Sequence, residues 1–194
     1  GNADAWSQGG QDREAEITIS LEDAYFGAKK TIALETSEMG YDGVLRRSVK
    51  NIEVTIPKGI TDGKRLRLPG KGNAGAGDLY LRIHIAPHPL FRVKGQDLET
   101  DVPVAPWEAA LGTKLEIRTL DGPVAVTLPP GTQSGQKLRL RGKGLPVRTS
   151  AAKNGKSGDL YAVVKIVVPK KLDPREKRLF EELARVSSFQ PRKG

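Results

Sequence analysis

Residues 54–72, VTIPKGITDGKRLRLPGKG, return at 126–144 as VTLPPGTQSGQKLRLRGKG, so the chain contains two copies of one unit. At a shift of 72 positions, Gly59, Gly63, Leu66, Arg67, Leu68, Gly70, Lys71 and Gly72 recur as Gly131, Gly135, Leu138, Arg139, Leu140, Gly142, Lys143 and Gly144. GDLYLRIHI at 77–85 then matches GDLYAVVKI at 158–166, which gives the second copy nine extra residues around 149–157. Upstream, ITISLEDAYFGAKKTI at 17–32 aligns more loosely with VPVAPWEAALGTKLEI at 102–117, and here the first copy holds the longer insert, 35–50. Two copies are too few for a solenoid.

Each copy reads as β. Ile17, Ile19 and Leu21 alternate with polar residues, as do Leu66 and Leu68, and Leu79, Leu81, Ile83 and Ile85. Pro57, Gly59, Gly63, Pro69 and Gly70 punctuate the strands where turns are needed. One short helix is expected per copy, 21–26 and 106–111, each stopped by a glycine (Gly27, Gly112) suited to a left-handed cap. The tail changes character. Asp173, Pro174 and Glu176 supply an N-cap, a first-turn proline and a capping-box acid. Leu179, Phe180, Leu183 and Val186 then form one apolar stripe on a helix of about four turns. The expected fold class is mainly β: two tandem repeated β-sandwich-like domains with short helices, plus a C-terminal helix. The expected division is 1–13 the end of a flexible linker, 14–94 the first domain, 95–169 its repeat, and 170–194 the helix and tail, with the copies joined near 94–96.

Little in the chain suggests catalysis. There is no cysteine, which removes disulfides and thiolate metal sites and fits a reducing compartment. The two histidines, His84 and His88, fall on a strand and in a proline-flanked turn, with no carboxylate or cysteine beside them in sequence. Gly70, Gly72 and Gly75 fit G-x-G-x-x-G, but a strand follows them where a dinucleotide site needs a helix, so they read as a hairpin turn. No enzyme site, metal or cofactor is expected. No run of about 18 apolar residues crosses a membrane, and the polar N-terminus lacks a signal pattern. The chain is read as soluble and cytoplasmic. Its formal net charge of +9 is spread mostly over the polar faces of strands.

These motifs, in this order from about Glu14 to Val186, resemble the C-terminal substrate-binding region of DnaJ-type J-domain proteins. The missing cysteines set the chain apart from members that insert a zinc region where 35–50 lies, so it resembles the zinc-free class. The J domain is absent too, since His88 and Pro89 are followed by Leu90 rather than by aspartate. The resemblance implies a co-chaperone fragment that binds unfolded client polypeptides and delivers them to a DnaK-type chaperone, with a dimerisation helix that makes a homodimer. Client binding is expected by strand addition to an open edge of the first domain. By the same resemblance the apolar pocket draws on Ile32, Leu34, Val54, Leu66 and Phe91, and the dimer on Leu179, Phe180 and Leu183. Most of the first set serves equally well as ordinary core. The rival reading is a DNA-binding, nucleoid-associated protein, favoured if Lys64, Arg65, Lys71, Lys137, Arg139, Arg141 and Lys143 share one face.

Overall fold

A computed structural model describes residues 12–73, 77–147 and 155–193. The first repeat runs β1 (Arg13–Ile19), α1 (Leu21–Phe26), β2 (Ala28–Met39), β3 (Leu45–Ile56), β4 (Arg65–Leu68) and β5 (Leu79–Ile85). After a short β6 (Arg92–Lys94), the second repeats that order as β7 (Asp97–Val104), α2 (Pro106–Leu111), β8 (Thr113–Thr119), β9 (Gly122–Leu128), β10 (Lys137–Leu140) and β11 (Leu160–Ile166). α3 (Pro174–Val186) is the last helix or strand among the described residues. The chain is mainly β, with several small sheets and three short helices among the described residues.

Both repeats follow one path. β1 lies parallel to β5, and β4 pairs antiparallel with the other side of β5. β7, β11 and β10 reproduce this arrangement. In each repeat the intervening hairpin makes its own two-stranded sheet, β2 with β3 and β8 with β9. The insert at 35–50 extends β2 and β3 into an arm paired through Met39↔Leu45. The second sheet has one strand more: β6 lies antiparallel along the outer side of β7. The turn at Gly95, where the copies were expected to meet, is thus the β6–β7 hairpin. β1 begins at Arg13, and Leu21 belongs to α1 rather than to the preceding strand.

Period-two patterning decides what is buried. Leu79, Leu81 and Ile83 point inward from β5, and Leu160, Ala162 and Val164 from β11. One apolar cluster contains Ile19, Val54 and Leu81 from the first repeat and Leu98, Ile117 and Leu160 from the second. The repeats also meet at a tight seam. A Cβ on Gly59, whose φ is +80°, would lie 2.1 Å from the carbonyl oxygen of Pro146. Only glycine fits there.

The helices form where their caps place them. Ser20 and Asp23 exchange the two bonds of a capping box on α1, and Asp173 and Glu176 do so on α3. Gly27 and Gly112 do stop α1 and α2, but not in the left-handed helical conformation expected. Both take φ near +78° with extended ψ, 154° and 155°. That region is open essentially to glycine alone, and it turns the chain straight into the next strand.

The repeated Gly-Asp-Leu-Tyr motif has a structural task. Asp78 accepts from the backbone N–H of Gly70 and from the Arg67 guanidinium, and Asp159 does the same with Gly142 and Arg139. The backbone N–H first, and then the arginine, hold each carboxyl below the ordinary aspartate value. A depressed folded-state pKa contributes stability above the unfolded value and loses it as pH falls through the folded one. Folding stability is therefore expected to decline below about pH 4, and less steeply in an Asp78→Asn, Asp159→Asn variant. Denaturant unfolding across pH 7 to pH 2.5 checks this; parallel pH profiles would refute the clamp.

Candidate functional site

The five apolar residues picked from sequence lie in or against the same cluster. Leu34 and Val54 are buried on facing strands of the β2–β3 sheet, and Val54 is closed to solvent. Ile32 on β2 and Leu66 on β4 are half-buried at its margin. Phe91 is only 5% exposed, yet it lines two clefts. One, of about 820 Å³, is bounded by Thr61, Lys64, Ile85 and Val93. The other, of about 550 Å³, is bounded by Glu22, Leu90, Leu120 and Pro123.

A histidine holds the loop that carries Phe91. His88 Nδ1 accepts the backbone N–H groups of Leu90 (3.0 Å) and Phe91 (3.2 Å), so the ring proton sits on Nε2 and points at Glu22 Oε1, 3.0 Å away. The His88 and Phe91 rings lie 5.0 Å apart, centre to centre. His84 Nε2 is likewise 3.5 Å from Glu16 Oε2. The sequence places no carboxylate beside either histidine; the parallel pairing of β1 with β5 brings Glu16 to one, and the start of α1 brings Glu22 to the other. Glu22 is held below the ordinary glutamate value by a backbone hydrogen bond, with a smaller contribution from His88.

Among the described residues no three acidic or histidine side chains are grouped to hold an ion. Chelators are expected to leave the thermal midpoint unchanged; a fall of several degrees on adding them would overturn the metal-free reading.

Open strand edges and exposed apolar residues stand out in the first repeat. The outer edge of β1 has no partner strand among the described residues, whereas β6 pairs with the first three residues of the same edge of β7, Asp97 to Glu99. A bare edge offers unpaired N–H and C=O groups to any extended segment. Phe26 at the end of α1, Leu90, and Val44, Leu45 and Val49 on the β2–β3 arm are exposed. Sequence reasoning missed both β6 and this difference between the edges, because a three-residue strand gives no periodic signal.

α3 buries none of its residues. Leu179, Leu183 and Val186 are each more than half exposed, and Phe180 is half-buried with its ring 6.3 Å from that of Trp107 on α2. Trp107 and Leu111 extend this apolar surface onto α2.

Of the seven basic residues considered for nucleic acid, four are engaged in ion pairs: Arg65 with Glu14, Lys137 with Glu99, Arg139 with Asp159, and Lys143 with Asp121. Among the described residues no helix is long and apolar enough to cross a membrane.

Residues 13–169 match the family described as DnaJ C terminal domain. A protein named Curved DNA-binding protein from Coxiella burnetii is 43% identical over 194 residues, covering 97% of this chain and 60% of that protein. Its namesake from Escherichia coli is 46% identical over 191 residues, covering 95% and 60%. The chain thus spans about 60% of the length of these curated relatives.

Proposed function

The chain belongs to the DnaJ C-terminal domain family, and we propose that it holds non-native polypeptide in extended form on its first repeat, as the client-binding part of a co-chaperone. The observation that carries this reading is that the outer edge of β1 has no partner strand among the described residues, where β6 pairs with the start of the same edge of β7, in a repeat that also exposes Phe26, Val44, Leu45 and Val49. Backbone pairing is indifferent to side chains, which suits many clients, and a few apolar contacts supply the rest of the affinity. Ile32 and Leu66 are the accessible members of the apolar set, while Leu34, Val54 and Phe91 back them from the core. The repeats act as two domains, 14–94 and 95–169, tied by the seam at Gly59. Delivery to a DnaK-type ATP-dependent chaperone in the cytoplasm runs through a J domain elsewhere in the longer protein. The apolar face of α3 makes a homodimer, and two client-binding arms raise the effective affinity for one long client.

The relatives' name and the net charge of +9 favour a second reading, DNA binding. Ion pairing of Arg65, Lys137, Arg139 and Lys143 leaves fewer free cations for phosphate than the sequence suggests. Aggregation suppression with a denatured client, run beside a DNA titration at two salt concentrations, separates the two. Client holding that weakens at most a few-fold as salt rises is expected. No suppression, together with DNA affinity falling steeply as salt rises, would favour the second reading.

A further inference from the structure

β6 on β7 shows what fits this kind of edge, because the two edges carry the same acids. Asp97, Glu99 and Asp101 correspond to Asp12, Glu14 and Glu16. Asp97 Oδ1 accepts the N–H of Asp159 at 2.7 Å, and Asp12 Oδ1 accepts that of Asp78 at 2.9 Å. Lys137 of β10 pairs with Glu99, as Arg65 of β4 pairs with Glu14. In the second repeat two further cations are present. β6 places Arg92 opposite Glu99 and Lys94 opposite Asp97, with Val93 between them packed on the core. The Arg92 guanidinium lies 3.7 Å from Glu99 and 2.8 Å from Asp101.

Among the described residues the first repeat has the acids without that strand. Glu14 and Glu16 side chains are 67% and 69% exposed, against 17% for Glu99 and 45% for Asp101. Among the described residues no strand pairs with the backbone there either. Arg13 N–H bonds to Asp78 and Ile19 C=O accepts from Ala86, both on the β5 side. Alternation therefore turns the N–H and C=O groups of Glu14, Glu16 and Thr18 outward. In sequence, Gly10-Gln11-Asp12 repeats Gly95-Gln96-Asp97, but Ser7-Gln8-Gly9 stands where the second copy has Arg92-Val93-Lys94. That tripeptide has neither a base nor a β-branched residue.

We propose that the outer edge of β1 takes an extended client segment of the pattern base–apolar–base, running antiparallel as β6 does on β7. One base meets Glu14 and Glu16, and the other meets Asp12 at the head of the strand. The apolar residue between them covers the core side. This selects for basic client segments even though the chain as a whole is positive, because screening confines each charge to its neighbourhood of about 8–10 Å. The inference rests on the client-binding reading and names the class of segment held.

Two labelled peptides of equal apolar content test it, one alternating Arg-Val-Lys and one with glutamine in place of both bases. The basic peptide is expected to bind the unaltered chain about three- to tenfold more tightly, the range that a few exposed ion pairs supply. In a Glu14→Gln, Glu16→Gln variant that ratio should fall to about one. A basic peptide N-methylated at the amides that face β1 should lose its binding to the unaltered chain, a readout that needs no variant to fold. A ratio unchanged in the variant, or undiminished binding of the N-methylated peptide, overturns the inference. Equal binding of both peptides to the unaltered chain overturns it alone, and no binding of either removes the client reading beneath it as well.

Discussion

Phe91→Ala is expected to cost about 3–5 kcal/mol of folding stability, the usual penalty for emptying a buried aromatic site. The ring is 5% exposed, belongs to the cluster that includes both repeats, and packs beside the His88 imidazole. Its loop is held by the bonds from Leu90 and Phe91 to His88 Nδ1, so the cavity cannot close without breaking them. Sequence left two roles open for Phe91, core residue or exposed anchor. Its burial assigns the larger stability loss, with the clefts on either side widened as a consequence. Urea unfolding of the one variant decides the matter. A change within about 1 kcal/mol, the scale of a surface substitution, would show that the ring does not bear the core load.

Phe180→Asp with Leu183→Asp is expected to convert a dimer into a monomer. A helix of 13 residues is marginal in water unless an apolar face is covered. Contact with Trp107 covers only part of Phe180, and Leu179, Leu183 and Val186 remain open. Two carboxylates placed in a closed seam would lose hydration with no cation to compensate them. Sedimentation of both proteins at the same concentration gives the answer. An undiminished dimer in the variant would move the interface off α3, and a monomeric parent would abolish it.

Local chemistry is what made most of the fold legible. The ends of α1 and α2 follow from Gly27 and Gly112, and the start of α3 from Asp173, Pro174 and Glu176, because caps act through neighbouring residues. The strand faces follow from period-two alternation, and the repeat announces that whatever one copy forms, the other forms too. Long-range pairing was not legible. That β1 runs parallel to β5 depends on where the whole repeat packs, and the Glu22–His88 contact follows from that packing. β6 is three residues of Arg, Val and Lys, which read as loop until the β7 edge they cover is known. For the site, the sequence located the apolar set but could not order it by burial. Val54 and Ile32 both sit on inward faces, and only the fold shows that one is sealed and the other is not.

The claim that the first repeat holds clients by strand addition is tested most directly by amide hydrogen exchange, with and without a permanently unfolded polypeptide such as a reduced and alkylated protein. The outward amides of Glu14, Glu16 and Thr18 are expected to gain protection when the client is added, because a new strand would accept their hydrogen bonds. In β7, Glu99, the counterpart of Glu14, is already paired with Arg92 of β6 and should change little. Client-dependent protection confined to the second repeat or to α3, with β1 unaltered, would contradict the proposal.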